Sequence, residues 1–98
     1  MKTSRISGFY KLAASDRLKM VAEKAGLSEE EIGAIASHGL SLDQADKMVE
    51  NVVGLFSIPL GIATNFLIDG REVLIPMATE EPSVIAAASN GARMALAG

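Results

Sequence analysis

The sequence has no cysteine and no tryptophan, a single histidine, and only 4% aromatic residues among its 98. The absence of cysteine excludes a disulfide framework, a cysteine–zinc site and a thiol nucleophile. No metal site is expected, and a cytoplasmic compartment is the simplest expectation. So few rings leave little to stack on bases, and the formal net charge of −3 opposes a polyanion, so nucleic-acid binding is not expected. No apolar run approaches the ~18–20 residues of a transmembrane helix. The basic start Met1-Lys2-Thr3-Ser4-Arg5 leads into no apolar stretch of the secretory kind, so neither a membrane span nor a secretory signal is expected.

What is present is apolar and unevenly charged. Apolar residues make up 49% and the mean hydropathy is +0.29, high for a small free-standing domain. Two readings fit: an alanine-rich helical core, or a piece of something larger whose faces are normally covered. Residues 1–24 carry a local charge of +4 and the rest carry −7. A basic arm of this kind can meet a phosphate-bearing ligand, or it can simply form a solvated helix face.

Helix signals dominate the first half. Ser15 is placed to cap a helix carrying Leu18, Val21, Ala22 and Ala25, with Gly26 as its stop. Ser28-Glu29-Glu30-Glu31 is a capping box, with Leu27 and Ile32 spaced as its hydrophobic staple. The helix it opens stops near Gly39. Ser41-Leu42-Asp43-Gln44 is a second box, opening a helix that carries Ala45, Met48, Val49 and Val52 and ends at Gly54. Such short helices need one another or a partner, because isolated helices below ~12–15 residues are marginal. The period then changes. Asp69-Gly70 between apolar runs is a strong hairpin signal, and a final helix is expected from Pro82 towards Leu96. The expected class is α+β: short N-terminal helices over residues 1–55, then a β-hairpin and a helix over 56–98. A hairpin alone is not stable in water, and the apolar end Met94-Ala95-Leu96-Ala97-Gly98 breaks off in mid-pattern. Both suggest a fragment of a larger protein.

The most informative stretch is Pro76-Met77-Ala78-Thr79-Glu80-Glu81-Pro82-Ser83. An apolar strand ends there, two carboxylates follow, and Pro82 is suited to a first helical position. Glu81 is thereby set at a strand-to-helix junction, where a carboxyl group can act on a ligand. On the residues alone, Glu80 and Glu81 can equally favour the helix dipole, and Ser83 can bond a free N–H of the first turn. His38, between two helices, is expected to face solvent.

Two segments together resemble hydroxymethylglutaryl-CoA reductase, in its bacterial and archaeal class. One is Glu50-Asn51-Val52-Val53-Gly54 with Phe56 and Ile58-Pro59-Leu60-Gly61-Ile62-Ala63. The other is Val73-Leu74-Ile75-Pro76-Met77-Ala78-Thr79-Glu80-Glu81-Pro82-Ser83 with Ala86-Ala87-Ala88-Ser89. The opening Ser7-Gly8-Phe9-Tyr10-Lys11-Leu12 and the Arg17-Leu18 pair are similar to that class as well. The likeness runs over nearly the whole chain in order and spacing.

The resemblance implies an oxidoreductase that interconverts hydroxymethylglutaryl-CoA and mevalonate plus CoA with NADH or NADPH. It implies that Glu81 is the catalytic acid and that Ser83 contacts the hydroxymethylglutaryl group. Residues Glu50, Asn51, Val52, Val53 and Gly54 would lie at a homodimer interface, within a dimer or an assembly of dimers. Tyr10 would stack on the adenine of CoA, and Lys11 or Arg5 would meet its phosphate. Bottom-up, Val52 and Val53 read as core residues, Gly54 as a left-handed helix stop, and Tyr10 as an equally good half-buried packing residue. An acid suits the junction because attack on a thioester builds negative charge on its carbonyl oxygen. The family's catalytic lysine, aspartate and histidine and its dinucleotide-binding domain do not occur in these residues, so the chain alone is expected to be inactive, as the N-terminal part of the substrate domain. Two other functions fit the same residues: a non-catalytic, self-associating helical module, and a small CoA-binding domain that uses the basic arm.

Overall fold

The computed structural model describes residues 3–97. The elements follow the expected order: helices α1 (Ala14–Ala25), α2 (Glu29–Ala36) and α3 (Leu42–Met48), strands β1 (Leu60–Ile68) and β2 (Arg71–Ala78), and helix α4 (Val84–Leu96). The class is α+β. The chain divides into two compact units. One is the segment Leu27–Ser57. The other joins the residues up to Gly26 to those from Ile58 onward, so the N-terminal arm belongs with the hairpin and not with the other helices.

In the Leu27–Ser57 unit, both capping boxes form. The Ser28 N–H donates to the Glu31 carboxylate at 2.8 Å, and the Glu31 N–H donates to Ser28 Oγ at 3.1 Å. The Ser28 N–H, with the Ser28 hydroxyl beside it, holds the Glu31 carboxyl below its ordinary pKa. Ser41 and Gln44 repeat the arrangement on α3, at 3.0 and 3.1 Å. Past α2 the chain turns through His38 and Gly39, both left-handed, and the Gly39 N–H donates to the Ala34 carbonyl at 2.7 Å. Ala45 is the buried residue of α3. That helix stops at Met48, short of the expected Val52, because Val49 is already extended.

In the other unit, α1 starts two residues before the position Ser15 would cap. The Asp16 and Arg17 N–H groups both donate to the Ala13 carbonyl, at 3.0 and 2.9 Å, so the first turn closes on Ala13 with no side-chain cap. Arg17 ties the helix to the preceding 3-10 turn, Phe9–Lys11, by donating to the Leu12 and Tyr10 carbonyls at 2.6 and 3.3 Å. Gly26 ends α1 in the left-handed conformation, as its position predicts.

The hairpin turn forms at Asp69-Gly70, both with positive φ, as a type I′ turn requires. Pairing is antiparallel, from Ile68 with Arg71 to Leu60 with Ala78. The register breaks once. Ala63 to Phe66 takes three steps on β1 against two on β2, Ile75 to Val73. The extra residue is a β-bulge at Thr64-Asn65, with Asn65 left-handed at φ 71°.

Groups from both ends of the unit meet at this bulge. The Asn65 N–H donates to the Ser4 carbonyl at 2.9 Å. The Thr64 N–H donates to Ser89 Oγ at 2.9 Å, and Asn65 Nδ2 donates to the Ser89 carbonyl at 3.0 Å. Ser4, fully buried, faces the Phe66 carbonyl at 2.8 Å and the Glu72 carboxylate with its single hydroxyl proton. Its N–H donates to the same carboxylate oxygen at 3.0 Å. The two Ser4 donors, with Arg5 nearby, hold the Glu72 carboxyl below its ordinary pKa. Helix α4 lies directly on β1. A Cβ at Gly61 would collide with the side chain of Ile85, so only glycine permits this approach without a shift.

Two substitutions at glycine should separate packing from propensity. Gly61→Val drives a branched side chain into Ile85 and should destabilise the fold by roughly 1–3 kcal/mol, the usual overpacking range. Gly33→Ala, in α2 with open space around it, should stabilise by roughly 0.5–1 kcal/mol. Thermal unfolding reads both, and a Gly61→Val midpoint equal to wild type would show that the Cδ1 end of Ile85 swings aside without cost.

The Glu72 carboxylate also gives a pH signature. A depressed folded pKa contributes stability that is complete above the unfolded value, near 4.5, and is lost as pH falls through the lower folded value. The melting-temperature gap between wild type and Glu72→Gln should therefore be largest near neutral pH and close in acid. A gap that stays constant from about pH 7 to about pH 3 would show that the carboxylate charge plays no part.

Candidate functional site

The strand-to-helix junction is held from within. Its first residue, Thr79, donates its N–H to the Pro59 carbonyl at 3.1 Å. The Thr79 hydroxyl oxygen then accepts the Glu81 N–H at 3.1 Å, a side-chain turn that bends the chain out of β2. Pro82 does not take the first helical position. Helix α4 starts at Val84, and Ser83 is its N-cap residue, left-handed at φ 72° and ψ −7°. A left-handed serine is strained by about 1–2 kcal/mol. Its hydroxyl makes no capping bond, which corrects the reading of Ser83 as an ordinary cap. Its carbonyl accepts the Ala87 N–H at 2.8 Å. The helix begins late because the turn after Pro82 uses a left-handed residue to aim α4 back across β1. Glu80, Glu81 and Ser83 are all exposed. The junction thus presents a carboxylate and an uncommitted hydroxyl beside a helix N-terminus, whose free N–H groups and dipole favour negative charge.

Residues Glu50–Gly54 follow α3 as a turn at Glu50-Asn51 and then a stretch without regular structure. The left-handed residue there is Asn51, at φ 62°, and not Gly54. Asparagine tolerates this conformation through its short polar side chain, so no glycine stop is needed. Val52 is half-buried, but Val53 is 99% exposed and Phe56 is 95% exposed. Val53 is therefore not a core residue of this chain. Two large apolar side chains stand free in one short segment.

In the basic arm, Gly8 turns left-handed to open the 3-10 turn, and Tyr10 is 78% exposed. The packing alternative for Tyr10 does not hold. Lys11 sets its ammonium 5.7 Å from the Tyr10 ring centroid, within cation–π range. Tyr10 and Lys11 are thus brought together as an exposed aromatic–cation pair. His38 faces solvent, as expected.

Two shallow clefts lie elsewhere. One, of about 550 Å³, is lined by Arg5, Ile6, Ser7, Asn65, Arg93 and Leu96 among others. The second, of about 280 Å³, lies over Phe66, Leu67 and Ala92. Glu81 lines neither. Among the described residues no cluster of His, Asp and Glu is arranged to hold a metal ion, and no helix is long and apolar enough to cross a membrane. The residues sequence reading missed are Ser4, Asn65 and Ser89. The one available signal was the polar pair Thr64-Asn65 inside an apolar strand.

Comparison with known proteins gives a consistent picture. The family model described as hydroxymethylglutaryl-coenzyme A reductase matches residues 13–98. The chain is 70% identical over 93 residues to 3-hydroxy-3-methylglutaryl-coenzyme A reductase from Archaeoglobus fulgidus, covering 95% of this chain and 21% of that protein. It is 32% identical over 102 residues to a probable reductase from Borreliella burgdorferi, covering 96% and 23%. Among solved structures, the class II reductase from Streptococcus pneumoniae bound to NADPH superposes with a TM-score of 0.78 at 38% identity, covering 90% of this chain and 24% of that one. The chain spans less than a quarter of the length of these relatives. On the family model, on the order of its elements and on the identity across nearly all its residues, the chain belongs to the hydroxymethylglutaryl-coenzyme A reductase family.

Proposed function

We propose that this chain supplies the N-terminal portion of a cytoplasmic oxidoreductase that interconverts hydroxymethylglutaryl-CoA and mevalonate plus CoA, with NADH or NADPH as the reductant. Residues 56–98, with the arm that packs on them, begin its substrate-binding domain. Glu81 is the acid that serves the thioester carbonyl oxygen, and Ser83 contacts the hydroxymethylglutaryl group. Tyr10 and Lys11 meet the CoA nucleotide, the ring by stacking and the ammonium as a point charge on phosphate. Residues Glu50–Gly54 lie at the interface of a homodimer or an assembly of dimers.

The observation that carries this reading is the junction Thr79–Ser83. It combines a strained serine with an uncommitted hydroxyl and an exposed carboxylate, next to a helix N-terminus. Strain of this kind persists where the surroundings enforce it, and it gathers at ligand sites. A proton donor to a thioester must be shielded from bulk water. Glu81 is exposed here, so on this reading the remainder of the parent protein covers it. The exposed Val53 and Phe56 support an interface role for their segment in the same way.

A Rossmann-type dinucleotide site uses a glycine-rich turn opening a helix, and among the described residues the helices open on Ala13, Ser28, Ser41 and Ser83. The nicotinamide cofactor is accordingly assigned to the part of the parent that this chain does not span.

In the full-length parent, Glu81→Gln keeps the shape of the side chain and removes its ionisable proton. The expected result is a fall in kcat of roughly a hundredfold, the usual scale for a lost general acid. A rate near wild type would take Glu81 out of the role.

The isolated chain should show no oxidation of NADH or NADPH with hydroxymethylglutaryl-CoA above a protein-free blank. Measurable turnover would overturn the division of labour proposed between this chain and the rest of the enzyme.

A further inference from the structure

Helix α4 is seated on β1 at two points one helical turn apart. Ile85 lies over Gly61, and Ser89 receives two hydrogen bonds from the bulge, from the Thr64 N–H and from Asn65 Nδ2. Residues 85 and 89 share one face of the helix, so the two seats fix both the position and the direction of its axis. The N-terminal end of that axis leads directly into Ser83 and Glu81. On the other side of the junction the chain is tethered by Thr79 to Pro59. The span between the two supports is short, and the left-handed Ser83 leaves it little slack. A shift of α4 along β1 is therefore passed on to the junction.

We infer that Asn65 is a positioning residue for Glu81; this rests on the role given to Glu81 above. Asn65 serves in two ways. Its left-handed backbone makes the bulge that turns the Thr64 N–H towards Ser89, and its amide donates to the Ser89 carbonyl. Asparagine combines the two, since it tolerates positive φ and carries a donor. Glycine would keep only the first. Aspartate would keep the shape but point an acceptor at a carbonyl oxygen. Reactions of this kind are sensitive to small displacements, a shift of about 1 Å being able to lower a rate by two orders of magnitude.

The test uses the full-length protein and a double-mutant cycle. Asn65→Gly and Asn65→Asp should each lower kcat at least roughly tenfold. In a Glu81→Gln background, Asn65→Gly should lower it by less than about twofold, because a residue acting through Glu81 has nothing further to lose. Gly70→Ala, which strains the distant hairpin tip, should leave kcat per folded enzyme within about twofold of wild type. Should the Asn65 variants fail to fold, Ser89→Ala removes the acceptor of the Thr64 N–H and takes their place in the cycle. Wild-type kcat in Asn65→Gly alongside an impaired Glu81→Gln would overturn the positioning role alone. So would an equal loss in both backgrounds, the mark of a merely structural effect. A near-normal Glu81→Gln would remove the reading of Glu81, and the positioning role with it.

Discussion

One extra residue in β1 organises the larger unit. A bulge leaves backbone groups without ladder partners, and buried backbone groups must be paired. Here the partners come from elsewhere in the sequence. The Thr64 N–H finds the Ser89 hydroxyl, and the Asn65 N–H finds the Ser4 carbonyl. The cost of the irregularity is thus offset only if both the N-terminal arm and α4 are in place. Ser4 and Ala63 are the fully buried residues beside it. The aliphatic core is small, with Val21 and Ala22 as its other buried members in this unit. In so small a core, directional bonds at one point choose the arrangement, and the apolar contact of Ile85 over Gly61 supplies the seating.

What could be read from the sequence was local. The two capping boxes, the stop at Gly26 and the Asp69-Gly70 turn each depend on residues within four positions of one another, and each forms as expected. The α1 start was misread because Ser15 is a good capping residue that is not needed, the Ala13 carbonyl closing the turn without it. The bulge could not be read. A register shift exists only relative to a partner strand, and no pattern within β1 fixes which residue is extra. Ser4 was hidden for the same reason. Its partners are 62 and 68 positions away, and nothing near it marks it as buried.

The candidate site divides along the same line. The placement of Glu81 at a strand-to-helix junction follows from strand, acid and proline in series. Its conformation does not follow, because Pro82 fits the first position of a helix that in fact begins at Val84. Residues Glu50–Gly54 show the limit of hydrophobicity as a guide. Two adjacent valines after an amphipathic helix read as core, yet Val53 is 99% exposed. Exposed apolar side chains close together can mark a surface that a partner covers, and that partner need not be in the same chain.

Met48, Val49, Val53, Leu55 and Phe56 are all exposed within a short stretch. Burying one such side chain is worth ~1.5–3 kcal/mol, so leaving several in water forgoes an amount comparable with the whole stability of a small domain, about 5–15 kcal/mol. A mean hydropathy of +0.29 is then no anomaly of a helical core, since the buried aliphatic set is short. It belongs to a surface. On the proposed reading that surface is the subunit interface, and the acid at the junction stays exposed until the rest of the protein closes over it. Apolar excess and exposed carboxylate would then share one cause: the chain presents faces that the assembled enzyme covers.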